Sequence, residues 1–154
     1  MPTKWMSEAR REAFVDYHNG AVARDLMRNF SAERYVDTMI RSGANRAAVF
    51  FKCHHGFAYY PTQVGAPHPH LKGDFSGSIA RECQKRGLPV VAYYNTTRDG
   101  VAFDSNPDWR QTKRDGTFSV NRHIKHVCVN TPYVMERLWP MVDEILEWHP
   151  WIAG

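Results

Sequence analysis

The densest run of reactive side chains is Lys52-Cys53-His54-His55-Gly56-Phe57, with His68 and His70 following in the same polar stretch. Neutral imidazole hydrogen-bonds hydroxyl groups, relays protons and ligates transition metals. Two adjacent histidines on an extended strand point to opposite faces, so only one of His54 and His55 is expected to face a common cavity. Gly56 allows a sharp turn immediately after them. Asp16 and His18 lie two residues apart and share a face if their strand runs that far; otherwise Asp16 caps a turn and His18 is exposed. Tyr93-Tyr94-Asn95 offers a ring and an amide, and Cys128-Val129-Asn130 reads as a short extended segment bringing Asn130 to the same mouth. Glycoside hydrolysis usually needs two carboxyl groups about 5–9.5 Å apart. Asp16 is the carboxylate expected at a strand end, so these residues describe a sugar-type binding rim and no complete mechanism. Two other readings stand beside it: a solvated histidine-rich loop, and a metal site, for which His-x₃-His on a helix is missing.

The elements that must position these residues alternate between strand and helix. Residues 13–18 read as a first strand, broken by Asn19-Gly20. Ser31 can cap a helix over residues 32–42, with Tyr35, Val36, Met39 and Ile40 on one face and Gly43 as its stop. Residues 46–51 form a nearly continuous apolar run, as a strand covered on both faces should. After the loop 52–73, Asp74 caps a second helix over residues 75–86, and residues 88–94 form a third buried strand. A second long loop, 95–131, can form a short hairpin near Asp115-Gly116; Trp109 within it either lids the site or pins the loop to the sheet. Pro132 opens a third helix over residues 133–148, with Pro140 bending or breaking it. Residues 151–154 look like the start of a fourth strand.

That order predicts an α/β chain with a parallel sheet and right-handed crossovers. Both long polar loops follow strands, while helices return to strands by short links. This favours part of a (β/α)8 barrel, with about three parallel strands alternating with three helices, over a small open sheet. The chain has 154 residues, against roughly 250 for a complete barrel. It is expected to be a single N-terminal barrel portion over residues 1–154. No apolar run reaches the ~18–20 residues of a membrane span. No secretory leader is legible, and three cysteines without metal-type spacing fit a reduced, cytoplasmic setting. The net charge of +4 comes from scattered residues, so neither a nucleic-acid nor a membrane partner is expected.

Lys52-Cys53-His54-His55-Gly56-Phe57-Ala58-Tyr59-Tyr60-Pro61-Thr62 resembles the α-L-fucosidase segment Lys-His-His-Asp-Gly-Phe that continues to an aromatic-Pro-Ser/Thr. Ala92-Tyr93-Tyr94-Asn95 is similar to their next strand. The whole chain resembles more closely the family called hypothetical glycosyl hydrolase 6. Phe14-Val15-Asp16-Tyr17-His18, residues 50–65, His68-Pro69-His70-Leu71, Cys83-Gln84-Lys85-Arg86-Gly87 and Pro107-Asp108-Trp109-Arg110 match its pattern in order. The resemblance implies a fucosidase-type barrel, a carbohydrate substrate and, for the parent protein, retaining hydrolysis of O-glycosidic bonds. It implies that Lys52 and His54 hydrogen-bond sugar hydroxyls, that His18 belongs to the same rim, and that Tyr60 and Tyr94 are aromatic walls. Asp16, His55 and Asn130 complete the expected set. The nucleophilic aspartate is expected beyond Gly154, leaving the chain alone inactive. It would self-associate unless a missing C-terminal barrel portion completes it. Cys53 stands where fucosidases have the first histidine and His55 where they have aspartate. No cofactor and no metal is expected on this reading. The rival classes are a non-catalytic sugar-binding or remnant domain and a metal-dependent hydrolase using His18, His54 and His55.

Overall fold

The computed structural model describes residues 6 and 8–154. In chain order its elements are β1 (Glu12–Phe14), α1 (Ala32–Arg41), β2 (Arg46–Lys52), β3 (Phe57–Ala58), β4 (Ala66–Pro67), α2 (Phe75–Lys85) and β5 (Val90–Tyr94). There follow α3 (Gly100–Ser105), a 3₁₀ turn at Pro107–Trp109, the hairpin β6 (Val120–Asn121) and β7 (Ile124–Lys125), a π-helical stretch (Val134–Leu138) and α4 (Trp139–Trp148). Among these, no helix is long and apolar enough to cross a membrane.

β2 is the centre of the sheet. β1 runs parallel along one edge, with Ala13 opposite Ala47, and β5 runs parallel along the other, with Val49 opposite Ala92. The apolar run of β2 is covered on both faces. Ala47, Val49 and Phe51 meet Val36 and Met39 of α1, Ile79 and Cys83 of α2, and Met141 and Ile145 of α4. Phe50 faces the other way, into a ring cluster with Tyr17, Tyr59, Phe75 and Tyr93. Phe14 stacks on Phe50 with centroids 5.1 Å apart, yet stays 43% exposed, with Val15 beside it at 46%.

The caps hold as the sequence predicts. Ser31 Oγ accepts from Arg34 N–H at 3.2 Å and Asp74 Oδ1 from Gly77 N–H at 2.8 Å. Four details differ. The first strand ends at Phe14 instead of reaching His18. Ile40 of the expected α1 face is 37% exposed. The first long loop contains β3 and β4, and the second contains α3 and the β6–β7 hairpin in addition to the expected short hairpin at Asp115-Gly116, where Thr112 and Phe118 form an antiparallel bridge. Finally, the last helix begins with a π turn, the N–H of Trp139 reaching Val134 O. That one-residue widening sits directly before Pro140, whose ring and missing N–H do not fit an interior α-helical turn. The edge of β5 is also not bare: Ala153 N–H donates to Val90 O at 2.8 Å and Ala92 N–H to Gly154 O at 2.7 Å.

The outer core holds one buried carboxylate. Glu144 of α4 accepts from Tyr60 Oη at 2.9 Å, Thr62 Oγ1 at 2.5 Å and the Gln63 N–H at 2.7 Å. Two buried histidines flank the core. Among the described residues neither ring nitrogen of His149 has a hydrogen-bond partner, while His68 Nε2 lies 3.0 Å from Gly20 O and its Nδ1 accepts from His70 N–H. Burial pushes both below the usual histidine range, Asp74 opposing it at His149 and the Gly20 carbonyl at His68. Folding therefore favours their neutral forms, whereas the unfolded chain takes up protons near pH 6.5. Stability should be full above about pH 6.5 and fall as pH drops toward the depressed folded values. Urea midpoints measured from pH 8 to 5 should decline in that lower window, and a flat profile would contradict the reading.

Candidate functional site

β2 stops at Lys52, and residues 53–56 close a tight turn. Gly56 N–H donates to Cys53 O at 3.0 Å, and Gly56 adopts φ +93°. His54 and His55 therefore sit in the turn, where strand alternation no longer applies. Their rings lie on one side, with centroids 4.4 Å apart, correcting the expectation that only one would face the site. α3 clamps the backbone beneath them: Gly100 N–H donates to His54 O at 3.2 Å and Val101 N–H to His55 O at 3.0 Å.

His18 reaches the pair from the segment after β1. Its ring is 4.0 Å from that of His54. Its Nε2 lies 3.0 Å from Asp16 Oδ1, and its Nδ1 accepts the His54 backbone N–H at 3.4 Å. That pairing places the proton on Nε2. Asp16 and His18 thus meet, but as a hydrogen-bond acceptor and its donor imidazole, and not as neighbours on a strand face. A fourth imidazole, His123, comes from the tip of the β6–β7 hairpin and stacks at 5.6 Å on His55.

The cluster is electrostatically neutral-seeking. Burial, then the neighbouring imidazoles of His18, His55 and His123, push His54 down to about 4. Burial also lowers His55 and His18, with the Asp16 carboxylate opposing it at His18. At neutral pH these groups offer lone pairs and N–H donors to a polar neutral ligand. His54 Nε2 is sealed from solvent and has no hydrogen-bond partner among the described residues.

Other expected site residues are placed elsewhere. Lys52 is fully buried, with Nζ 3.0 Å from Asp99 Oδ2 and 2.7 Å from Asn95 O, and 4.7 Å from the Tyr94 ring centroid. Its ammonium holds the core together, which leaves little of it for a sugar hydroxyl. Tyr60 is buried against α4 and donates to Glu144, so it is no wall of the histidine site. Tyr94 also faces the helix layer, its hydroxyl 3.4 Å from Met141 Sδ. Asn130 lies in an exposed turn following Cys128, the residue whose N–H bonds Trp109 O. Trp109 is buried against Tyr133, 5.6 Å away, and pins its loop.

On β5 the ring that faces the histidine cluster is Tyr93, one residue before Tyr94. Tyr93 contacts Phe50 at 4.2 Å and His18 at 6.3 Å, and its hydroxyl accepts from Asn95 Nδ2. Tyr59 stacks beside His68, and its hydroxyl accepts the Asn19 N–H at 2.9 Å. Strand period 2 makes a one-residue choice a change of face. The sequence signal was present in Tyr59-Tyr60 and Tyr93-Tyr94. Tyr93 pairs with Phe50 and shares its face, and the register shift between Phe50 and Lys52 sets Lys52 opposite Tyr94 on the other face.

Three comparisons bear on this site. The model of a family described as Hypothetical glycosyl hydrolase 6 matches residues 31–151. The structure is similar to an α-L-fucosidase isoenzyme 2 from Paenibacillus thiaminolyticus, at TM-score 0.79 and 27% identity, over 88% of this chain and 21% of that one. A GH29 α-L-fucosidase from Bacteroides thetaiotaomicron shares the fold at TM-score 0.59 and 19% identity, over 80% of this chain and 26% of that one. The chain thus spans about a fifth to a quarter of the length of these enzymes. A comparison with curated protein sequences gives no match.

Proposed function

Because the chain belongs to the hypothetical glycosyl hydrolase 6 family, we propose that it is the sugar-binding N-terminal portion of a fucosidase-like (β/α)8 barrel. The carrying observation is the set His18, His54 and His55, drawn together just beyond the C-terminal ends of parallel strands, with His18 oriented by Asp16. Barrel enzymes gather their sites at that end. Tyr93 and Phe14 supply apolar ring surface beside the polar nitrogens, the combination that sugar faces require. Lys52, Tyr60 and Tyr94 act behind this rim as supports.

The parent reaction is retaining hydrolysis of an O-glycosidic bond, which uses two carboxyl groups about 5–5.5 Å apart. Asp16 is the carboxylate that touches the histidine cluster. The nucleophile is assigned to a fourth strand, continuing the path that Ala153 and Gly154 take along β5. The exposed Phe14 and Val15 face the space that the remainder of a barrel would fill.

Binding without turnover is the expected behaviour of the chain by itself. A panel of monosaccharides including L-fucose, titrated into ¹⁵N-labelled chain, should move the signals of His18, His54 and His55. His54→Ala should weaken the best ligand about tenfold, the worth of one well-placed hydrogen bond of ~1.4 kcal/mol. Binding of no sugar in the panel, or equal binding by the variant, would overturn the reading. So would aryl-glycoside turnover by the chain alone at about 1 s⁻¹ or more, a rate typical of enzymes.

A further inference from the structure

We propose that His54, His55 and His123 form a site for one divalent transition-metal ion of the zinc class. Their coordinating nitrogens all lie within 4.8 Å of one another. They come from two elements far apart in sequence: the turn after β2 and the tip of the β6–β7 hairpin. All are imidazoles, with no thiolate and no carboxylate among them. That donor set suits zinc, cobalt or nickel and disfavours calcium and magnesium, which take oxygen. Three nitrogen ligands leave a fourth tetrahedral position for water or a ligand hydroxyl.

One feature besides the convergence of the rings points to an occupant: His54 Nε2 is sealed from solvent and without a hydrogen-bond partner among the described residues, on a residue only 8% exposed. Most buried polar atoms in folded proteins are hydrogen-bonded, and of the unsatisfied imidazoles among the described residues His54 is the one that lies in a cluster of three able to share a metal. The tight two-residue turn of the β6–β7 hairpin, in which Arg122 holds φ +55° as such turns require, carries His123 onto the other two rings. The backbone of the pair is meanwhile fixed by the α3 clamp. A side chain at Gly100 would stand 2.8 Å from His55 O, so that clamp has no slack.

His18 is outside the set, although it touches His54. Its Nε2 is engaged by Asp16 and its Nδ1 by the His54 N–H, which leaves neither free to ligate. The ligand set therefore differs from the His18, His54 and His55 grouping that sequence spacing suggests. The site shares two residues with the proposed sugar rim but does not rest on that reading, because the metal is measured with no sugar present.

The test uses the full chain without a polyhistidine tag, stripped with a chelator and then titrated with Zn²⁺ by calorimetry and with Co²⁺ by visible absorption. The expected result is one equivalent of metal per chain, a d–d spectrum of four-coordinate type for Co²⁺, and no binding of Mg²⁺. His123→Ala, at an exposed hairpin tip, should keep the far-ultraviolet circular dichroism of the parent and weaken Zn²⁺ at least tenfold. His54→Ala should do the same to binding. Less than half an equivalent bound, or Zn²⁺ affinity unchanged in His123→Ala, would overturn the proposal. Sugar binding retained after chelation, in that event, would leave the sugar-rim reading standing by itself.

Discussion

Lys52→Met is expected to cost about 3–5 kcal/mol of folding stability, the loss seen when one partner of a buried ion pair is removed. Lys52 and Asp99 are 0% and 1% exposed, and 3.0 Å separates the ammonium from Oδ2. Burial pulls the Lys52 ammonium toward its neutral form, and the Asp99 carboxylate opposes that. The carboxylate is engaged on both oxygens. Oδ1 accepts the Ala102 N–H at 2.9 Å as the cap of α3, and Oδ2 accepts from Tyr133 Oη at 3.2 Å. Without the lysine, a buried anion stands uncompensated at the element that clamps His54 and His55. A loss of that size is a large part of the roughly 5–15 kcal/mol by which domains are stable. Urea unfolding of Lys52→Met, Asp99→Asn and the double variant checks it. The double variant should lose less than the sum of the singles, because each removes the other's reason for being charged. A loss below about 1 kcal/mol for Lys52→Met would mean the pair is hydrated after all.

Gly56→Ala is expected to be comparably damaging, at about 2–5 kcal/mol, by two routes that add. Its backbone is at φ +93°, where a Cβ costs about 1–2 kcal/mol. The Cβ would also collide with Asp99 Oδ1 and stand 2.7 Å from the Val101 nitrogen, and forced overpacking costs about 1–3 kcal/mol. The same displacement would pull α3 off the His54–His55 turn, so the ring signals of both histidines should shift in NMR spectra. Gly73→Ala is the control. Gly73 also has positive φ, at +74°, but nothing lies within 4 Å of a Cβ there. It should lose only the backbone part, about 1–2 kcal/mol. Equal losses at the two positions would show that the contact with α3 is soft.

The alternation of strand and helix was legible because each signal was local. The Ser31 and Asp74 caps, the stops at Gly43 and Gly87, and the unbroken apolar run of β2 each state their own structure. His54, His55 and His18 were legible as a group because they sit at or just past strand ends. The errors concern rotation about a strand. Tyr94 is expected on the site face, whereas Tyr93, opposite Phe50, occupies it, and the register shift that follows sets Lys52 opposite Tyr94 on the other face; Tyr60 packs against α4 instead. Lys52 looked like a ligand-binding cation because its partner, Asp99, is 47 positions away in sequence. His123 was invisible for a similar reason. The hairpin that carries it turns on Arg122-His123 and not on the Asn-Gly or Asp-Gly pair that marks such turns.

The central position of β2 has a kinetic consequence. Both of its long pairings join segments distant along the chain: Ala13 meets Ala47, thirty-four residues on, and Ala47 meets Val90, forty-three residues further. Only the short antiparallel pairing of β2 with β3, across the 53–56 turn, is local among the described strands of this sheet; neither parallel pairing can form from a short segment alone. Each parallel pairing must close a loop containing a whole helix before any ladder bond repays the lost chain entropy. Chains with such non-local connections fold slowly compared with helical bundles of equal length. The Ser31 and Asp74 caps take on a second role in that light. They raise the helical population of α1 and α2 before the strands pair, and each helical turn formed shortens the flexible path between one strand and the next.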